Sequence, residues 1–168
     1  MILGMTATPI AMRHSHHELS AITTVLQLHV LGMFLPSFIT GNLIARFGTL
    51  KIMLMGVMLF LCYIAMALSG FHFFSFATSL ILLGIGWNFL FIGSTSLLTG
   101  TYTLEEKAKA QAINDMTVFV VGLICSFSAG AVLDIFGWKA MNLALLPWLA
   151  ITAISLVWLS AKKVPVRI

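Results

Sequence analysis

The chain has 168 residues, of which 60% are hydrophobic and only 8% charged, with a formal net charge of +4. A soluble domain carries about 25% charged residues because its surface faces water, so this composition excludes an ordinary water-soluble globule and a disordered chain. The basic residues sit singly between apolar blocks rather than in a polar basic patch, which excludes a nucleic-acid surface and leaves a polytopic membrane protein.

In chain order, Met1 to Met12 is apolar but spans only about 18 Å as a helix. It has neither the basic start nor the small-residue cleavage site of a signal peptide. It reads as the end of a helix whose beginning lies outside the chain; a re-entrant or interfacial segment is the alternative. Leu19 to Ala45 contains no Asp, Glu, Lys or Arg. A crossing helix needs about 20 residues at about 1.5 Å each to pass a core of about 30 Å. This stretch therefore holds one span, in which Pro36 is expected to kink the helix and free a carbonyl. Ile52 to Leu104 is also free of charge and too long for one crossing. Ser69-Gly70-Phe71-His72 is its natural break. Met116 to Leu133 and Ala140 to Ala161 supply one span each, the first starting a turn earlier near Ala112. The expected fold is an all-α membrane protein with five complete transmembrane helices plus a truncated first one. Its spans are 1–12 (partial), 19–45, 52–69, 73–99, 112–133 and 140–161, within a single domain of residues 1–168. Cys62 and Cys125 fall near mid-span, where a disulfide framework is out of place; they read as small packing residues.

The connections between spans differ in charge. The second, the fourth and the tail hold Arg46, Lys51, Lys107, Lys109, Lys162, Lys163 and Arg167; the other connections hold Arg13 and Lys139. That is seven basic residues against two. Basic residues favour the cytoplasmic side, so the even connections and the C-terminus are expected there, in the cytoplasmic membrane of the cell.

The run from Gly41 to Lys51 joins two spans on that side. It resembles the glycine- and arginine-containing loop of the major facilitator superfamily: Gly, three residues, Asp, Arg, one residue, Gly, then basic residues. Gly41, Arg46, Gly48 and Lys51 match; Ala45 stands in place of the acid, and Thr49 and Leu50 replace two basic positions. Glycine allows close helix approach and tight turns, and Arg46 can bond helix-end carbonyls. A second stretch, from Gly84 through Asn88, Thr95 and Thr99 to Glu105-Glu106-Lys107 and Asn114-Asp115, resembles the tenth helix, cytoplasmic loop and start of the eleventh helix of bacterial members. Leu104 holds the place where the family often has Pro. Gly130 through Gly137-Trp138 resembles the end of the eleventh helix and its outer turn. The resemblance covers essentially the whole chain. It implies the C-terminal half of a twelve-helix transporter, whose missing N-terminal half is the implied partner. In this family two six-helix halves rock about a midplane site.

Polar residues inside spans favour a bundle interior or a water-filled cavity. Gln27 and His29 lie on the first complete span, and His29 has the chemistry to carry a coupling proton or simply to bond a neighbouring helix. Asn88, Thr95 and Thr99 fall on one stripe of the third complete span; they read as solute-path residues or as interhelical hydrogen-bonding groups. The resemblance favours the cavity, because the tenth helix faces it in the family. Trp87 beside them can stack on an apolar or aromatic solute or serve as a packing residue. Gly122, Ser126 and Gly130 form a small-residue packing face on the fourth. Asp115 opens that span, where the helix dipole favours a carboxylate; alternatively it is a cytoplasmic gate residue paired with Arg46 or another basic residue in one conformation only.

His14, His16, His17 and Glu18 are the densest ionisable cluster, but their loose spacing reads as a solvated loop, and no metal is expected. With no phosphate-cradling Gly-Lys-Ser/Thr loop and no evident catalytic set, no cofactor and no enzymatic activity are expected. The expected activity is half of a secondary transporter moving a small solute by alternating access, driven by an ion or solute gradient. The alternative is a truncated, non-transporting integral membrane protein held in the lipid bilayer. A reporter fused after residue 168 should face the cytoplasm, and one in the 14–18 loop should face outward. Outward activity of the C-terminal fusion would reverse the assigned orientation.

Overall fold

The computed structural model describes residues 1–103 and 105–162; the expectations resting on Leu104, Lys163 and Arg167 lie outside these. The chain folds into α1 (Ile2–His14), α2 (Leu19–Phe34), α3 (Ser37–Phe47), α4 (Thr49–Leu68), α5 (Phe73–Thr99), α6 (Lys107–Leu143) and α7 (Leu146–Ala161). Among the described residues, four stretches are long and apolar enough to cross a membrane: Leu19–Phe47, Thr49–Leu68, Phe73–Thr99 and Lys107–Ala161.

The first of these holds α2 and α3 in one apolar stretch, jointed at Pro36. Pro36 lacks an N–H for the Gly32 carbonyl, so α2 stops before it and α3 starts after it. The turn between α3 and α4 is made by Gly48 at φ 90°, ψ 147°, a conformation that a side chain rarely tolerates. The expected tight turn at Gly48 is therefore present. The close approach expected at Gly41 is not made among the described residues: a Cβ there would meet none of their atoms within 4 Å.

The last stretch, at 55 residues, is far too long for one crossing. It breaks at Gly137, whose φ of 76° and ψ of 167° leave the helix. Past this point the chain runs back along α4. The Trp138 Nε1–H donates to the Ala67 carbonyl at 2.7 Å, near one end of α4, whereas Leu156 packs on Met53 and Val57 near the other. The part of α6 before Gly137 thus reaches Phe136, beyond the expected end at 133, and Asp134 is exposed there.

Helix α5 is the hub. It packs against α4 on one side and α2 on the other, while α1 lies on α6 and α7 on α4. Glycine makes both α5 contacts. A Cβ on Gly84 would lie 2.6 Å from the His29 carbonyl oxygen of α2, and one on Gly32 would lie 3.0 Å from the Ile81 carbonyl oxygen of α5. Opposite, Gly56 and Gly86 face each other, a Cβ on either falling 3.0 Å from the other's carbonyl oxygen. The core around them is apolar and includes Val25, Phe60, Phe76, Leu80 and Leu83.

Two expected packing roles change. The face of α6 toward α1 contains Gly122, Cys125 and Ala129, with Gly122 closed over by Ile2, and Ser126 is rotated out to the exposed surface. The helical repeat of 3.6 residues makes the buried step after Gly122 three residues rather than four. Cys62 lies on the exposed face of α4, not in a packed contact.

The glycine contacts make a stability test. Gly84→Ala should destabilise the purified protein in detergent by about 1–3 kcal/mol, because rigid backbone meets the new methyl. Gly41→Ala should leave the melting temperature unchanged or raise it slightly. Equal effects of the two would remove the close α2–α5 contact as a determinant of stability.

Candidate functional site

A cavity of about 260 Å³ opens between α1, α5 and α6. Its walls are Ile2 of α1, Trp87 of α5, and Thr117, Val121, Gly122 and Cys125 of α6. The indole of Trp87 is stacked on the ring of Phe91, with centroids 5.3 Å apart and planes 23° from parallel. These rings sit at positions i and i+4, where side chains on a helix meet. Of the two rings, Trp87 lines the cavity and offers it an apolar, polarisable surface. The Thr117 hydroxyl, which donates to the Ile113 carbonyl at 2.8 Å, still has lone pairs available as acceptors. Such a surface suits contact with an apolar or aromatic group.

Of the six residues expected to line a solute path, only Trp87 borders this cavity. Gln27 is exposed on α2, beside a shallow groove with Thr23, Leu26, Val30 and Leu31. His29 is fully buried where α2 meets α5, its Nδ1 2.7 Å from the Leu80 carbonyl oxygen. Its Nε2 is buried without a hydrogen-bonding partner among the described residues. Thr95 and Thr99 donate to carbonyls of their own helix, those of Phe91 at 2.9 Å and Ser96 at 2.7 Å.

Asn88 is 4% exposed and serves the α2–α3 break. Its amide nitrogen donates to the Met33 carbonyl at 2.7 Å and to Ser37 Oγ at 2.6 Å. Its Oδ1 accepts from the Thr40 hydroxyl at 2.6 Å. Both amide protons are thus spent between helices. The carbonyl that Pro36 was expected to free is adjacent to this network, and α5 supplies the donor.

Arg46 and Lys51 are exposed and Asp115 is half-buried. The Arg46 guanidinium lies 5.3 Å from the centre of the neighbouring Phe47 ring, and Asp115 accepts from the Asn114 side chain at 3.1 Å. Helix α3 packs mainly on α4, α5 and α2, and among the described residues no hydrogen bond joins Arg46 to Asp115.

A second polar cluster lay hidden in the sequence. The Tyr63 hydroxyl donates to Asn142 Oδ1 at 2.6 Å, and the Asn142 amide donates to the Trp138 carbonyl at 2.9 Å. With the Trp138–Ala67 bond, this ties the segment after Gly137 to α4. The available signal was a pair of polar residues within apolar spans, Tyr63 and Asn142, each needing a partner in lipid. At the same end, His17 Nε2 lies 2.8 Å from the Phe71 carbonyl oxygen, joining the loops after α1 and α4.

The Major Facilitator Superfamily model matches residues 1–167. A riboflavin transporter of Brucella anthropi, RfnT, is 43% identical over 157 residues, covering 94% of this chain and 39% of its own length. Two uncharacterized MFS-type transporters of Bacillus subtilis are also similar. YdeG is 32% identical over 85% of this chain and 34% of its own length, and YddS 31% identical over 85% and 35%. The chain therefore spans between a third and two fifths of the length of these curated relatives. No solved structure matches it.

The Tyr63–Asn142 bond makes a clean prediction. Tyr63→Phe should destabilise the protein by about 1–3 kcal/mol, because the buried Asn142 oxygen is left without its donor. Thermal unfolding of the purified protein checks this, and an unchanged midpoint would show that another group takes over the acceptor.

Proposed function

The chain belongs to the major facilitator superfamily, and on that premise we propose that it is the C-terminal half-domain of a secondary transporter for a planar heteroaromatic solute of the riboflavin kind. The observation that carries this reading is the 43% identity to a riboflavin transporter over 94% of the chain. Trp87 on the cavity wall supports it independently, since an indole surface suits contact with a fused ring system.

In this reading the chain crosses the membrane five times, with α1 as the end of a further helix. The crossings are α2 with α3, α4, α5, α6 up to Gly137, and the stretch from Trp138 through α7. The connections rich in basic residues face the cytoplasm, as does the C-terminus. Lys162, whose ammonium lies 3.9 Å from the centre of the Trp158 ring, then anchors the last helix at the cytoplasmic interface. The missing N-terminal half closes the solute site, and the two halves rock to give alternating access. His29 is the proposed proton carrier, because its Nε2 is a buried basic nitrogen without a partner. Arg46 and Asp115 act at the cytoplasmic gate through residues of the other half.

The test is riboflavin uptake by the complete protein in cells deficient in flavin uptake. Trp87→Ala should raise KM about tenfold, equivalent to about 1.4 kcal/mol of lost stacking, with folded yield retained. Trp87→Phe should recover most of the loss. No uptake by the parent protein would reject the flavin assignment, and uptake by the parent that is indifferent to Trp87→Ala would remove the aromatic wall from the site.

A further inference from the structure

The joint between α2 and α3 is a weak point in the helical ladder. Pro36 has no N–H to offer the Gly32 carbonyl, and Ile39 and Thr40 both donate to the Pro36 carbonyl at 2.9 Å. Leu35 and Pro36 keep right-handed helical dihedrals, so the chain passes through Pro36 as a proline joint rather than ending there.

What spans the joint is a side chain from another helix. Asn88 holds Met33 on the α2 side through its carbonyl, and Ser37 and Thr40 on the α3 side through their hydroxyls, with all three distances between 2.6 and 2.7 Å. The hydroxyl of Thr40, which is fully buried, also lies 2.8 Å from the Pro36 carbonyl oxygen, so its single proton has two acceptors within reach. The neighbour of Asn88 in sequence, Trp87, is the α5 wall of the cavity. At the far end of α3 stand Asn42, Arg46 and the Gly48 turn, all exposed. One residue thus joins the cavity wall to a jointed helix whose other end carries the loop motif.

We propose that Asn88 is a positioning residue for transport: by bridging Met33 to Ser37 and Thr40 it sets the angle of the Pro36 joint, and through it the position of α3 relative to the solute-facing α5. This rests on the transporter reading above for its purpose, but not for its geometry. Interactions that differ between two conformations shift their populations. Loss of the bridge changes how often the α3 end adopts each position, and the effect reaches Arg46 without either ligand or gate being touched. Carboxamide chemistry is needed: two donors and an acceptor on one planar group. Leucine fills the volume and makes none of the bonds. Aspartate offers only acceptors to the Met33 carbonyl, also an acceptor.

The experiment uses the complete transporter that contains this chain, with Cys62→Ala and Cys125→Ala, and Asn42→Cys placed as a reporter on α3. In permeabilised membranes, the rate of reaction with a soluble maleimide reads the exposure of that thiol. Asn88→Leu should change the rate at least threefold, and Ser37→Ala should change it in the same direction by a smaller factor. Val25→Ala, which removes buried packing from α2 without touching the bridge, should leave it within 1.5-fold, about the scatter expected for a neutral change. If Asn88→Leu does not accumulate, Ser37→Ala combined with Thr40→Val carries the same test. Unchanged labelling in the bridge variants, or an equal change in Val25→Ala, overturns the proposal. Riboflavin uptake is measured on the same membranes. Its absence in the parent counts against the flavin reading alone, because the labelling comparison needs no solute.

Discussion

Helix α5 touches two neighbours at backbone distance, and the arrangement of the other helices follows from that. Gly84 and Gly32 bring it against α2, and Gly86 and Gly56 bring it against α4. In lipid there is no hydrophobic drive between helices, because lipid tails are as apolar as leucine. Close van der Waals contact and hydrogen bonds between helices must hold the bundle instead. Removing side chains at the crossing points satisfies the first requirement. It also brings α5 near enough for Asn88 to reach main-chain groups of α2, which satisfies the second.

The two polar clusters then lie where the chain departs from regular helix. One sits at Pro36, which leaves the Gly32 carbonyl without its helical donor, and there α5 donates to the adjacent Met33 carbonyl. The other sits after Gly137, where Tyr63, Asn142 and Trp138 hold the returning chain to α4. In each case a defect in one helix is repaired by a side chain from another, because a buried polar group without a partner is costly in an apolar medium. The repair also fixes geometry. A proline joint in water can be satisfied by solvent in many orientations; here the partner sits at one place on α5, so the joint has one preferred angle.

The functional reading draws on a different part of the molecule. The cavity between α1, α5 and α6 is bounded by aromatic and aliphatic groups with one hydroxyl nearby. Much of α6 and α7 is exposed and apolar, including Phe119, Phe127, Trp148 and Ile154. In the proposed transporter some of this surface meets lipid and the rest meets the N-terminal half. The polar residues of α2 that remain exposed, Thr23 and Gln27 among them, are then on a face that the other half would cover.

The sequence by itself determined that the chain is helical and where its apolar stretches start and stop, because lipid demands about 20 uncharged residues with their backbone bonds made internally. It also marked the joints: Pro36 lacks an N–H, and Gly48 reads as a turn between two apolar blocks. Its family was legible in the spacing of Gly41, Arg46, Gly48 and Lys51. Which face of each helix is inside was not legible. Asn88 looked like part of a stripe with Thr95 and Thr99, yet it is buried at a joint 51 residues away in sequence from Ser37. Ser126 looked like a packing residue, yet it is Cys125 that turns toward α1. In water, the contrast of polar and apolar residues phases a helix; in a bilayer both its surroundings and its core are apolar, and that contrast fades. Only the tertiary register of the glycine contacts decides which side chains meet, and so which polar residues repair the fold and which are left to a solute.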